Sequence, residues 1–364
     1  MSDAVALGSL GAGQATGRLA PSPTGNLHVG HARTFLVAWL AARAEGGRMV
    51  LRIEDLDVGR VQAGAKTGII NDLRRLGLDW DEGPDINGPF APYDQSERLD
   101  VYQDALDRLT ARNLVYPCTC TRSDIERAAT APHTEDEAPT YPGFCRLRDP
   151  NDAARLRALG LSFGWRFRVP AGEIVWEDRV LGRVARNPSR LGGDFVVARE
   201  SPASALGNGG TSAWTVTYAY QLAVIVDDAA MKITQVVRGD DLAASTPRQI
   251  ALADALGLPT PVYAHVPLVV GPNGRRLSKR DGSIKLASLF AGGLEPATLV
   301  ETLARSCGLR FKAPISSCRD LIGTFDFEAL TRSEWTWSAI KGAATSDHKL
   351  ASLNSGSDPP RRST

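Results

Sequence analysis

The sequence predicts an α/β protein built on a parallel sheet of the nucleotide-binding type, and three segments near its start carry that expectation. Gly17-Arg18-Leu19-Ala20 reads as a short strand, stopped where two prolines and a glycine in Pro21-Ser22-Pro23-Thr24-Gly25 force a loop. Over residues 30–44 the apolar side chains Ala32, Phe35, Leu36, Trp39 and Leu40 recur at three- and four-residue spacing, the period of a helix, and Gly46-Gly47 ends it. Met49-Val50-Leu51-Arg52-Ile53 reads as a second strand. Strand, loop, helix and strand make a crossover unit, whose two strands must run parallel.

The remaining elements follow in order. Helical patterns cover 68–76 and 96–112, joined by a loop-rich stretch. From 117 to 150 the composition shifts to Cys, Thr, Pro and charged residues, with the acidic tract Glu135-Asp136-Glu137, which suggests an inserted module. Short alternating stretches at 163–169 and 195–198 suggest strands. The unbroken apolar run Leu222-Ala223-Val224-Ile225-Val226, followed by Asp227-Asp228, suits a buried parallel strand. Residues 248–256 read as helix, Val266 to Val270 lead into a polar loop over 271–282, and 296–309 form a further helical pattern. The expected division is a flexible leader (1–16), a first half of the α/β domain (17–115), the inserted module (116–190), a second half (191–290), a helical C-terminal segment (291–344) and a disordered tail (345–364).

A chain of 364 residues can form two or three compact units, and 43% hydrophobic with 23% charged content is that of a globular protein. No run approaches the ~18 to 20 apolar residues that span a bilayer. The first residues have neither a basic start nor a continuous apolar stretch, so no signal peptide is expected, and the expectation is a cytoplasmic monomer with no membrane partner. A net charge of +1 leaves room for a local basic surface. Five cysteines, an odd number, argue for metal binding or plain burial over a disulfide framework.

Two motifs suggest phosphate chemistry. His28-Val29-Gly30-His31 places two imidazoles three residues apart where a loop opens a helix; free backbone N–H groups and the helix dipole there favour an anion, and Gly30 permits close approach of a flat base. Alone, the same residues equally describe a pair of capping or surface histidines. Arg275-Arg276-Leu277-Ser278-Lys279-Arg280-Asp281-Gly282, beside Gly271-Pro272-Asn273-Gly274, could close a lysine over the phosphates of ATP, or could be a solvated basic turn.

Taken together, the two motifs resemble the two signatures of class I aminoacyl-tRNA synthetases. Within that class Gly17 to Gly25, Arg52-Ile53-Glu54-Asp55-Leu56-Asp57 and Val237-Arg238-Gly239-Asp240-Asp241-Leu242 are similar to the glutamyl branch. The resemblance runs from about residue 17 to 309. It implies a Rossmann-like parallel sheet, with His28, His31 and Lys279 as catalytic residues. ATP, together with Mg²⁺, would be held by His28, Gly30, His31, Ser278 and Lys279. It further implies a glutamate pocket of Arg18, Leu19, Ala20, Pro21, Ser22, Glu54, Tyr220 and Arg238, in which Glu54 receives the α-amino group.

Cys118-Thr119-Cys120 and Cys145 supply three thiolates, one short of a tetrahedral zinc site, with His133 and Tyr141 as nearby fourth ligands. Chemistry alone favours His133. Tyr141-Pro142-Gly143-Phe144-Cys145, however, resembles the Y-x-x-x-C end of a zinc site in a synthetase-like family in which tyrosine is the fourth ligand. Cys307 and Cys318 lie far off and read as small buried side chains. A short glutamyl-type core with C-x-C and Y-x-x-x-C resembles the glutamyl-queuosine tRNA(Asp) synthetase family. That resemblance implies glutamate, ATP and queuosine-containing tRNA(Asp) as partners and one structural Zn²⁺. A shortened synthetase for tRNA(Glu), or a non-catalytic paralogue, are the alternatives.

Overall fold

The structure, a computed structural model, describes residues 15–128, 140–206, 213–271, 274, 277 and 285–337. Residues 1–14 of the expected leader, the expected tail, Ser278 and Lys279 in the basic loop, and His133 lie outside the described residues.

The chain opens with β1 (Thr16–Leu19), α1 (Val29–Ala44) and β2 (Arg48–Leu51), and the two strands pair in parallel with Arg18 opposite Val50. The close pairing depends on small residues: a side chain on Gly17 would lie 3.0 Å from Ala42 Cβ, and one on Gly47 would meet the Ala15 carbonyl at 2.3 Å. Next come α2 (Ala65–Arg75), α3 (Leu99–Ala111), β3 (Val115–Cys118), α4 (Arg122–Ala128) and α5 (Asp152–Ala158). They are followed by β4 (Phe163–Phe167), β5 (Ile174–Asp178), β6 (Gly182–Arg186), β7 (Phe195–Pro202) and β8 (Trp214–Tyr218). The chain continues through α6 (Tyr220–Ala230), β9 (Gln235–Gly239), α7 (Thr246–Leu256), β10 (Val262–Val266), β11 (Val269–Val270), α8 (Leu286–Ala291), α9 (Pro296–Ser306) and β12 (Trp335–Thr336).

These strands form two larger sheets. One has the order β6-β5-β10-β9, with β9, β10 and β5 parallel, and β1 joins its β9 edge where the Thr234 N–H donates to the Thr16 carbonyl at 3.0 Å. The chain therefore leaves β1 toward β2 on one side, while β9 leads toward β10 on the other. That reversal of direction creates a crevice at the carboxyl ends of β1 and β9, where open α/β sheets place their ligands. The second sheet, β3-β4-β7-β8, is antiparallel, so strands on both sides of residue 190 contribute to it. The largest core surrounds α1 and includes Trp39, Leu40, Met49, Leu73, Val237, Val266, Leu299 and Leu303.

One expectation fails. Residues 222–228 form the middle of the α6 helix, not a strand. Both faces of this segment are covered, with Leu222 and Ala223 fully buried, so no periodicity was left to distinguish a buried helix from a buried strand.

Candidate active site and metal centre

The backbone after β1 and β2 sets the geometry of the crevice. The Arg52 N–H donates to the Leu19 carbonyl at 2.9 Å and the Glu54 N–H to the Pro21 carbonyl at 3.0 Å, so Glu54 stands beside the Pro21–Ser22 loop. Arg52 is fully buried and forks between two acids, Asp228 at 2.7 Å and Glu54 at 3.1 Å. These acids hold its guanidinium above the usual arginine range although burial works the other way. Burial pushes the Glu54 carboxyl up, against the pull of Arg52 and Arg18.

Arg18 points across from β1, donating to the Val237 carbonyl of β9 at 3.2 Å, and lies 3.6 Å from Asp228. Asp227 beside it accepts from Gln95 Nε2 at 2.8 Å, Arg98 Nε at 2.7 Å and the Tyr102 hydroxyl at 2.8 Å. Asp227 and Asp228 thus anchor α6 to α3 and to the strand ends through fully desolvated charges. Tyr220 opens the same helix, and burial, reinforced by the Glu54 charge, raises its phenol.

Arg238, 4% exposed near the end of β9, is held differently. Its Nε donates to His265 Nε2 at 3.0 Å, its Nη2 to Thr246 Oγ1 at 2.9 Å, and its Nη1 has no hydrogen-bond partner. Arg18, Glu54, Tyr220 and Arg238 therefore converge on the crevice from four different elements.

The histidine motif occupies the adjoining edge. His28 caps α1, its backbone N–H donates to His31 Nδ1 at 3.4 Å, and the two rings stack at 3.6 Å between centroids. A Cβ on Gly30 would sit 3.1 Å from the His28 ring, so glycine lets the ring lie back against the helix start. Both flanks of the basic loop return to this place. Leu277 is buried and donates to Val269 of β11, and on the far side the Leu286 N–H donates to the Leu27 carbonyl at 3.0 Å while Lys285 bridges His28. Lys279 lies outside the described residues.

The cysteines separate as their spacing suggests. Cys307 and Cys318 are buried among apolar neighbours in the main core. Cys118, Cys120 and Cys145 cluster with their sulfur atoms within 4.8 Å of one another, and those of Cys120 and Cys145 are 3.7 Å apart. Thiolates bound tetrahedrally at ~2.3 Å from a zinc ion would be about 3.8 Å apart. Tyr141 completes the group: its hydroxyl oxygen is 3.4 Å from Cys118 Sγ and 3.9 Å from Cys120 Sγ. Arg166 donates from Nε to Cys118 Sγ at 3.3 Å and stacks over the Tyr141 ring, placing positive charge against the cluster. Sequence reasoning did not single out Asp178, Asp227, Asp228, His265 or Arg166. For Asp227 and Asp228 a signal was present, because two successive acids in an apolar run need buried partners.

Comparisons with known proteins find relatives in sequence and in structure. The family described as tRNA synthetases class I (E and Q), catalytic domain, matches residues 14–341. A protein of Symbiobacterium thermophilum named glutamyl-Q tRNA(Asp) synthetase is 47% identical over 317 residues, covering 87% of this chain and 94% of that protein. Glutamate–tRNA ligase 2 of Syntrophus aciditrophicus is 38% identical over 93% of this chain but only 65% of its own length. Among solved structures, the glutamate-tRNA synthetase of Elizabethkingia anophelis superposes with a TM-score of 0.74 at 28% identity, covering 90% of this chain and 68% of that one.

Proposed function

The chain belongs to the class I tRNA synthetases of the glutamyl and glutaminyl branch, and from that premise we propose that it is a glutamyl-Q tRNA(Asp) synthetase in activity. It uses ATP to activate glutamate as glutamyl-adenylate and passes the glutamyl group to queuosine in the anticodon of tRNA(Asp). The observation that carries this reading is the 47% identity, sustained over nearly the full length of a protein bearing that name.

In the activation step an oxygen of the glutamate α-carboxylate attacks the α-phosphorus of ATP, and the bond to the bridging oxygen breaks to release pyrophosphate. A queuosine hydroxyl then attacks the adenylate carbonyl; an ester forms, AMP leaves and the hydroxyl proton is released. Our assignment of roles follows the crevice. Arg238, with Nη1 unpaired, meets the side-chain carboxylate, Arg18 and Tyr220 border it, and Glu54 accepts the ammonium group. The backbone from Leu19 to Ser22 forms one wall. We assign the phosphates of ATP with its Mg²⁺ to His28, His31 and the amide edge at Gly30, together with Ser278 and Lys279 of the basic motif. The charges act by position, favouring the transition state over the bound substrate. We assign one structural zinc to Cys118, Cys120, Cys145 and Tyr141, since the sulfur spacing and the phenol fit a tetrahedral set.

Labelled glutamate and ATP, offered with tRNA(Asp) carrying queuosine, tRNA(Asp) lacking it, and tRNA(Glu), test the reading. Label should enter only the first, and nuclease digestion should leave it on the anticodon fragment. Label on the 3′-terminal adenosine of tRNA(Glu) would instead make the chain a glutamate–tRNA ligase.

A further inference from the structure

Arg18 and Arg238 both border the crevice, yet their charges are met in opposite ways. Arg18 lies 3.6 Å from the Asp228 carboxylate. Among the described residues Arg238 forms no ion pair: its partners are an imidazole nitrogen and a hydroxyl, and Asp178 lies behind them on the far side of the His265 ring.

The protonation pattern follows by elimination. An arginine Nε can only donate, so the His265 Nε2 that receives it must be bare. The ring proton is then on Nδ1, which donates to Asp178 Oδ2 at 2.5 Å. Asp178 is fixed in turn, because its Oδ1 accepts the backbone N–H groups of Val180 and Leu181 at 3.0 Å and of His265 at 3.1 Å. Thr246 Oγ1 accepts from Arg238 Nη2 and lies 3.1 Å from the same His265 Nε2. His265 and Thr246 are fully buried, and Asp178 is 4% exposed. Burial also pulls the His265 pKa down, which keeps the ring neutral.

We infer that Asp178, His265 and Thr246 are positioning residues for Arg238: they occupy its Nε and Nη2 donors with neutral acceptors, so that Nη1 and an unneutralised charge are presented to the side-chain carboxylate of the amino-acid substrate. The inference rests on the glutamate reading above and adds to it the groups that set specificity. A directly bound carboxylate would satisfy the guanidinium and weaken its hold on a second anion. A neutral imidazole, locked into one tautomer from behind, fixes the fork without doing so.

The test uses glutamate-dependent exchange of pyrophosphate into ATP, without tRNA or with tRNA if the step requires it. Exchange by the wild type with glutamate is the control for the reading itself; its absence would remove that reading and the inference with it. With the control satisfied, His265→Gln keeps an acceptor toward Arg238, whereas His265→Asn keeps only a donor toward Asp178. The Asn variant should raise KM for glutamate by about 10-fold to 100-fold, the scale of a hydrogen bond to a charged group, with KM for ATP and kcat moving less than about threefold. The Gln variant should recover much of that loss. Thr246→Val should raise KM for glutamate in the same way, and Thr246→Ser should restore it, which keeps the inference testable if the His265 variants do not fold. The preference for glutamate over glutamine should narrow in the Asn and Val variants. Unchanged glutamate KM in folded variants, equal rises for glutamate and ATP, or better recovery by Asn than by Gln would each overturn the inference.

Discussion

A buried arginine is costly unless its N–H groups find acceptors, and around this crevice the acceptors differ from one arginine to the next. Arg52 and Arg98 are consumed by Asp227, Asp228 and Glu54, while Arg238 is held by neutral groups. Chemistry of the same grain governs the cysteine cluster. Burial and its thiol neighbours push the Cys120 pKa up to about 12, and it is the spacing of the three sulfur atoms that suits a shared cation. Metal analysis of the purified protein should find about one equivalent of zinc. Cys120→Ser should lose it, Tyr141→Phe should weaken zinc retention against a chelator by about 10-fold or more, and His133→Ala should leave it unchanged. Full retention in Tyr141→Phe with loss in His133→Ala would make His133 the fourth ligand.

Elements were legible where a residue period or a turn residue marks them. The α1, α2, α3, α7 and α9 helices fall within a few residues of their expected places, as do β1, β2, β4 and β7, because each carries a period or a Gly or Pro stop. The α6 helix did not, since its covering on all sides erased the period. The long-range pairs, such as Thr246 with His265 or Arg18 with Val237, join residues distant in sequence, and neither period nor spacing encodes them. In the α2 helix one buried position breaks the apolar face: Asp72, between Ile69 and Leu73, is 5% exposed. Burial pushes its carboxyl up to about 6 against the pull of Arg75. In the unfolded chain an aspartate titrates near ~3.9, so the folded state binds the proton more tightly. The stability this contributes is complete below about pH 4, declines as pH rises toward 6 and is gone above it. Asp72→Asn should therefore raise stability at pH 8 by about 1 to 2 kcal/mol, with the gain vanishing near pH 4. Denaturant midpoints measured at the two pH values decide it; an equal gain at both would show that ionisation is not the cause.

Across the whole molecule, one buried side chain on α1 reaches both the β10–β11 connection and the end of α9. Arg33 is 1% exposed; it donates from Nη1 to the Pro267 carbonyl between β10 and β11 at 2.5 Å. It also reaches Ser306 at the end of α9, from Nε to the hydroxyl at 3.1 Å and from Nη2 to the carbonyl at 3.2 Å. None of these partners is an acid, so the guanidinium is solvated by protein dipoles alone. The same joint carries the site: α1 begins at the histidine motif, and the strand after Pro267 leads into the basic loop. An isosteric apolar replacement removes the desolvated charge but strands two carbonyls and a hydroxyl, each of which costs about 1 to 3 kcal/mol when buried without a donor. Arg33→Met should thus destabilise the protein by about 2 to 4 kcal/mol while unfolding stays a single transition, because the three parts share one core. Adenylate formation measured well below the melting temperature should fall as well, through the displaced loop flank, with glutamate KM little changed. A variant that loses activity at full stability would place Arg33 in the chemistry, and one that unfolds in two steps would show that the C-terminal segment is held apart from the core.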